Sequence, residues 1–201
     1  MITPDFFARI PPLVLADPLA EMLGAAEGGV VEYRYVDAVR LAGHSCPTVA
    51  GAWLMTARAL QALYPDAMPQ RGGIRVALRE AQTTGTTGVV AAVIGLITGA
   101  AGEGGFQGLG GRLGRRGLLT FGVEMRGDAR FTRLDSGASV ELAYHPQAVP
   151  PEAAMQELMP KVVSGGADAS ERAEFARLWQ ARVERILLPS NDVPGLLEAI
   201  A

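Results

Sequence analysis

The sequence predicts a single α+β domain, in which one mixed or antiparallel sheet packs with helices around one core. Length and composition support one domain, because 201 residues with 49% hydrophobic side chains are enough to bury a sizeable core. Residues 74–80 alternate strictly between apolar and polar, which indicates a strand with one buried face. Residues 47–63 and 170–187 are longer segments rich in apolar residues, and they indicate helices.

The first half of the chain is predicted to alternate between helices and strands. In order, these are a short helix that ends at Gly24, a strand over 30–41, a helix over 47–63, a strand over 74–80 and an apolar helix that starts near Val89. Proline is favoured at the first position of a helix, so Pro47 marks the start of the helix over 47–63. Either Thr86 or Thr87 is expected to cap the apolar helix.

The second half begins with a glycine-rich segment, residues 99–117, in which nine of the 19 residues are glycine. Such density is expected where the backbone takes positive φ or passes close to a ligand or another backbone. The rest is predicted to hold a hairpin of 118–125 with 129–133, a strand over 139–145 and helices over 151–163 and 170–187. We expect further helical turns in 191–201, so that 146–201 is a helical C-terminal part of the domain.

Charge and apolar patterning argue against two classes of partner. The formal net charge of -3 and the isoelectric point near 5.5 give no general attraction for nucleic acid or anionic membrane. The longest apolar run, residues 89–101, is too short to cross a bilayer. The single cysteine excludes an intrachain disulfide framework, and the N-terminus does not read as a signal peptide. We therefore expect a cytoplasmic protein, and the mean hydropathy of +0.19 favours a homodimer.

The stretch Gly43-His44-Ser45-Cys46-Pro47 holds the only cysteine and one of the two histidines of the chain. An imidazole and a thiolate two residues apart suit one transition-metal ion or one activated thiol. Because Pro47 begins a helix, Cys46 lies at or beside its N-cap, where the helix dipole favours a thiolate. The alternative is a buried structural cysteine.

Two other segments predict a pocket for a small molecule. Thr84 lies in a loop of small residues between a strand and a helix, which is a common layout for a ligand site, and the helix N-terminus after it favours an anion. Gly104 and Gly105 allow close approach of the glycine-rich backbone, and Arg112, Arg115 and Arg116 offer donors to a carboxylate or phosphate. The alternative is that these arginines are solvated side chains of a loop. The expected ligand is a small anionic metabolite.

Several of these motifs together resemble one family. The chain resembles the FmdE-like proteins, a family related to formylmethanofuran dehydrogenase, on these features: Gly43-His44-x-Cys46-Pro47, the following helix with Gly51, Glu80 at the end of a strand, and Thr98-Gly99 at the end of an apolar helix. The resemblance covers about residues 31–122. It implies an α+β core, often dimeric, with a metal site on His44 and Cys46 and with Glu80 as a further ligand.

The chain departs from the family pattern at two sulfur ligands. Where the family has a cysteine four residues after Glu80 this chain has Thr84, and after Thr98-Gly99 it has Ala100. A third or fourth ligand is therefore expected from a wider set, namely Glu80, Asp37, His145, Glu103, water or a bound small molecule.

The first functional interpretation is a metal-binding protein with a site, by default for zinc, on His44, Cys46 and Glu80 beside a Gly/Thr-lined pocket. The second is a metal-free enzyme in which Cys46 is the catalytic nucleophile and His44 or His145 its base. The third is a module that binds an anionic metabolite, with Cys46 merely buried. The sequence does not decide whether the protein is an enzyme.

Overall fold

The computed structural model describes residues 1–188 and 193–200, and it confirms the α+β class. The elements in chain order are β1 (Leu13–Ala16), α1 (Pro18–Met22), β2 (Val30–Tyr33), α2 (Tyr35–Ala42), α3 (Pro47–Leu63), β3 (Ile74–Leu78), α4 (Thr87–Thr98), β4 (Leu119–Thr120), β5 (Ala129–Arg133), β6 (Ser139–Tyr144), α5 (Ala153–Val163), α6 (Ala169–Leu187) and β7 (Leu197–Ile200). Short 3₁₀ turns lie at 5–9, 27–29 and 146–148. In the part of the chain that the structure describes, no helix combines the length and apolarity needed to cross a membrane.

The strands form two sheets. β1 and β2 make a two-stranded antiparallel sheet, and the larger sheet has the order β4-β3-β5-β6-β7. Within the larger sheet β3 and β4 run parallel, while the other neighbours are antiparallel, so the predicted mixed sheet is confirmed. β3 therefore has a partner on each side, which fits a strand whose Ile74, Val76 and Leu78 are fully buried while Arg75 is exposed.

Helix α3 lies at the centre of the core. It packs against α4, α6 and β6, and its Val49, Ala50, Ala52 and Trp53 are almost completely buried. Small residues at these positions let neighbouring backbones approach, while Trp53 fills the space near Tyr35, with the two ring centroids 5.8 Å apart. The core position of α3 fixes the place of its first turn, and with it the Gly43–Pro47 stretch.

The prediction of a strand over 30–41 is wrong beyond Tyr33. The chain turns into helix α2 because the Asp37 carboxylate accepts the backbone N–H of Arg34 at 2.9 Å, which caps the first turn. Gly43 ends this helix in the left-handed conformation, with φ of 77°. Side-chain capping outweighs the β propensity of the aromatic and β-branched residues here.

The predicted hairpin of 118–125 with 129–133 is also wrong. β4 and β5 do not pair with each other, since Val76 of β3 lies between Leu119 and Phe131. Each segment adds to one edge of the buried strand β3. The helical expectation for the tail fails as well, because Leu197–Ile200 pairs with β6 as the edge strand β7; residues 191, 192 and 201 lie outside the described part of the chain.

Candidate functional site

A cavity of about 260 Å³ lies where the N-terminal ends of α3 and α4 meet the C-terminal ends of β3 and β6. We call it the interhelical cavity. Its apolar wall is made by Pro47, Met55, Leu78, Val90 and Pro146. Its polar groups come from Thr48, Glu80, Thr86, Thr87, Asp128 and Tyr144.

The first turn of α3 is capped by the predicted cysteine. The Cys46 sulfur accepts the Val49 N–H at 3.5 Å, and the Cys46 carbonyl accepts the Ala50 N–H at 3.0 Å. Pro47 occupies the first helical position, where its missing N–H costs no hydrogen bond. The N–H and hydroxyl of Thr48 make no hydrogen bond within residues 1–188 and 193–200, so both are available at the interhelical cavity.

The first turn of α4 has no side-chain cap, contrary to the prediction. Thr86 holds the N-cap position, yet its hydroxyl does not bond to the helix, and Thr87 is already the first helical residue. The Thr86 carbonyl accepts the N–H groups of Val89 and Val90. The Gly88 N–H finds no acceptor in the described part of the chain, but Gly88 lines a different groove, so the free donors of α4 at the interhelical cavity are the hydroxyls of Thr86 and Thr87.

Two carboxylates line the interhelical cavity, and they differ in how far they are already bonded. Asp128 accepts the Arg79 guanidinium at 2.7 Å with one oxygen and the Tyr144 N–H at 2.8 Å with the other. Glu80, with 52% of its side chain exposed, has the Arg79 Nε at 3.4 Å as its one partner among the residues that the structure describes. Asp128 therefore holds Arg79 and the backbone of Tyr144 in place, while Glu80 can still accept hydrogen bonds from a ligand.

Tyr144 forms a wall of the cavity and is held in place from two sides. Its hydroxyl donates to the Pro47 carbonyl at 2.8 Å, and its ring lies against Gly51, where a Cβ would come within 2.2 Å of ring atom Cε1. Burial raises the pKa of Tyr144 above its ordinary value, so the phenol stays a neutral donor. Nothing local in the sequence connects Tyr144 or Asp128 with α3, and sequence reasoning missed both.

His44 and Cys46 lie beside the interhelical cavity rather than in its lining. His44 is exposed, and its Nδ1 is 2.9 Å from the Ala42 carbonyl, whereas Cys46 is buried with 8% exposure. Trp179 and Gln180 of α6 both donate to the carbonyl of Ser45, the residue between His44 and Cys46, and so fix the position of this segment.

The predicted zinc ligands do not form one cluster. Among residues 1–188 and 193–200, no three side chains of His, Cys, Asp or Glu are close enough together to hold a metal ion. Of the three predicted ligands, only Glu80 lines the interhelical cavity. His44 and Cys46 can supply two ligands, one fewer than a catalytic zinc usually takes from protein.

The four predicted ligand-binding residues do not converge either. Gly104 and Gly105 line a second, wide groove of about 830 Å³ between α4 and the glycine-rich loop. Thr84 is exposed in the turn before α4, and Arg112 is exposed at the tip of the loop, bonded through its backbone to Leu109. Neither Thr84 nor Arg112 lines this groove, so the arrangement predicted for an anion is not assembled there.

The buried arginine of the glycine-rich loop is Arg115, which sequence reasoning did not single out from its neighbours. Its Nη2 is 2.6 Å from the Asp17 carboxylate, which also accepts Arg71 at 2.9 Å. Gly72 and Gly99 make room for the guanidinium, since a Cβ at either would lie within 2.6 Å of its Nη1. This Asp17–Arg71–Arg115 cluster anchors the loop to the N-terminal sheet.

The interhelical cavity thus joins two helix N-termini, one carboxylate with a free oxygen and an apolar wall. Such a set can hold a small molecule with a polar head and an apolar body. The predicted nucleophile, the Cys46 thiol, lies outside the lining of this cavity, and it is buried and caps the first turn of α3. No protein-family model, curated protein or solved structure matches this chain, so the resemblance to the FmdE-like proteins stays a prediction.

Proposed function

We propose that the protein binds a small organic molecule in the interhelical cavity. The observation that carries the proposal is the meeting of two helix N-termini at a cavity whose remaining wall is mostly apolar. In the described part of the chain, α3 offers the unbonded N–H of Thr48 there, and α4 offers the unbonded hydroxyls of Thr86 and Thr87. Helix N-termini favour oxygen atoms with negative charge, and apolar walls bind the rest of a ligand by excluding water. The cavity volume of about 260 Å³ restricts the ligand to a small metabolite.

The cavity walls are fixed before any ligand binds. Tyr144 is held by Pro47 and Gly51, and Asp128 is held by Arg79 and by the Tyr144 N–H. A preformed site spends less binding energy on ordering its own side chains. Tyr144 and Asp128 therefore need little rearrangement to form the wall of a binding site.

Saturation-transfer NMR with a mixture of short-chain alcohols, carboxylates and amines tests this proposal. We expect transfer to at least one class in the wild type and its loss in Val90→Phe, which fills the cavity. Val163→Phe is the matched control, because Val163 is 77% exposed at the end of α5. Transfer that is absent in the wild type, or equal in both variants, would contradict the proposal.

A second candidate is a metal ion held by His44 and Cys46, with zinc as the expected ion. One observation favours it: the His44 Nδ1 lies 2.9 Å from the Ala42 carbonyl, and a bond there leaves Nε2 with its lone pair outward. Metal-binding histidines usually fix their tautomer in this way. The second ligand, the Cys46 sulfur, lies two residues further along the same segment.

Elemental analysis of untagged wild type, His44→Ala and Cys46→Ala tests the metal site. We expect near-stoichiometric metal in the wild type and its loss in both variants. Asp135→Ala is the control, because Asp135 pairs with Arg133 in the turn between β5 and β6 and is not among the expected ligands. A wild type without metal after reconstitution under reducing conditions would rule this candidate out.

A homodimer and a cytoplasmic location belong to the proposal as expectations. Val14 and Val30 are exposed by 36% and 47% on the two-stranded sheet, and apolar residues at such positions favour association. Light scattering coupled to size-exclusion chromatography would give the mass in solution. A monomer at high concentration would contradict the dimer.

A further inference from the structure

The chemistry of the interhelical cavity also narrows the class of ligand, an inference that rests on the proposed function. We propose that the ligand is a free α-amino acid with a small apolar side chain, such as valine, leucine or methionine. Such a molecule carries a carboxylate, an ammonium group and an apolar group on one carbon. The cavity offers a separate partner for each of the three.

The carboxylate is matched by the two helix N-termini. The Thr48 N–H and hydroxyl have no partner in the described part of the chain, and the hydroxyls of Thr86 and Thr87 are equally unbonded. Among residues 1–188 and 193–200, no basic side chain lines the interhelical cavity. Backbone donors and hydroxyls, reinforced by two helix dipoles, are thus its means of binding an anionic group.

The ammonium group is matched by Glu80. Arg79 bonds Asp128 at 2.7 Å and lies farther from Glu80, at 3.4 Å, so Glu80 is the less well neutralised of the two carboxylates. Its negative charge lies at the rim of the cavity. A ligand with only a carboxylate would meet that charge unfavourably, whereas an ammonium group neutralises it.

The side chain of the amino acid is matched by the apolar wall. Met55 and Leu78 are almost completely buried, and Val90 is half-buried above them. An apolar group placed here removes surface from water at both partners. The partners of the carboxylate, the ammonium group and the side chain all line the same small cavity.

Calorimetric titration of the full chain tests separately how the carboxylate, the ammonium group and the apolar side chain are bound. The ligands are L-valine, L-leucine and L-methionine, with isocaproate as leucine lacking its ammonium group and isoamylamine as leucine lacking its carboxylate. We expect one of the three amino acids to bind at least about tenfold more tightly than either analogue, since hydrogen bonds to charged groups carry this discrimination. Val90→Phe should abolish binding, and Thr87→Phe is a second blocking variant if Val90→Phe does not fold.

Glu80→Gln tests the ammonium partner by removing charge while keeping shape. It should raise the Kd of the bound amino acid at least about threefold, and it should leave the Kd of isocaproate unchanged or slightly lower. Glu174→Gln is the matched control, because Glu174 is similarly exposed and paired with an arginine but lies on α6. It should change nothing.

The outcomes distinguish the ligand class from the existence of the site. If isocaproate or isoamylamine binds as tightly as every amino acid, and Val90→Phe abolishes that binding, the amino-acid class is wrong while the cavity remains a binding site. If no amino acid binds but the cavity still takes up fragments in the NMR experiment, the class is equally wrong. If neither experiment detects binding, both the amino-acid ligand and the proposed function are wrong.

Discussion

The ring of Tyr144 lies so close to the backbone of Gly51 that a methyl group at position 51 would come within 2.2 Å of ring atom Cε1. This contact brings the end of β6 onto the first turns of α3. It explains why a glycine, which costs helix stability, stands inside a core helix.

Gly51→Ala should therefore destabilise the protein, although alanine is the better helix former. We expect a loss of about 1–3 kcal/mol in the free energy of unfolding, the usual cost of overpacking, measured by urea denaturation. The control is the same substitution in a Tyr144→Leu background, where it should be neutral or stabilising. An equal loss in both backgrounds would show that Tyr144 is not the cause.

Arg115→Met should lower the free energy of unfolding far more than Arg116→Met. Arg115 and Asp17 are 6% and 4% exposed, so removing the arginine leaves a buried carboxylate with one partner fewer; breaking a buried pair typically costs about 3–5 kcal/mol. Arg116 pairs with Glu103 at the surface, where such pairs contribute about 0–1 kcal/mol. Urea denaturation of the two variants gives the comparison, and equal losses would contradict it.

The pH dependence of stability should carry a contribution from Asp17. Burial alone would raise the pKa of this carboxyl, but the hydrogen bonds from Arg71 and Ala20 and the two arginine charges lower it below 3.8. A lowered folded-state pKa contributes stability that is present above the unfolded value and is lost as the pH falls through the folded one. Denaturation between neutral and strongly acidic pH should show a steeper loss for wild type than for Asp17→Asn; identical slopes would contradict it.

Cys46 can be tested as a helix cap independently of any metal. Cys46→Ala leaves the Val49 N–H without an acceptor and should cost about 1 kcal/mol, whereas Cys46→Ser keeps an acceptor and should cost less. Thermal unfolding in the presence of chelator gives the comparison. If Cys46→Ser were the worse of the two, burial of the sulfur rather than capping would be its main contribution.

Strong periodicity made parts of the fold predictable. The strict alternation of 74–80 identified β3, and the start of α3 at Pro47 followed from proline and the apolar run after it. The strand prediction for the residues after Tyr33 is wrong because the capping hydrogen bond to the Asp37 carboxylate outweighs their β propensity. Propensity scales do not include the strength of such a bond. The pairing of β4 with β3 depends on a crossover through α4 and the glycine-rich loop, which no local pattern records.

The candidate site was predictable only where its residues follow predicted elements. Glu80 and the two helix N-termini fall into this group. Tyr144 reaches the cavity from a distant strand, and the sequence marks its partner Gly51 only through the resemblance to the FmdE-like proteins, not through any link with Tyr144. Among Arg112, Arg115 and Arg116, nothing local tells which one is buried, because Asp17 lies 98 residues before Arg115.

The two ends of α4 differ in their hydrogen bonding, and this difference affects the local dynamics of the helix. At the C-terminal end Arg71 donates to the Leu96 carbonyl and the Gly72 N–H donates to the Thr98 carbonyl, while the N-terminal end has no side-chain cap. Amide hydrogen exchange should therefore run as a gradient along α4, fastest in its first turn. A ligand in the interhelical cavity would flatten that gradient from the open end, so occupancy would be readable as a change in local backbone dynamics.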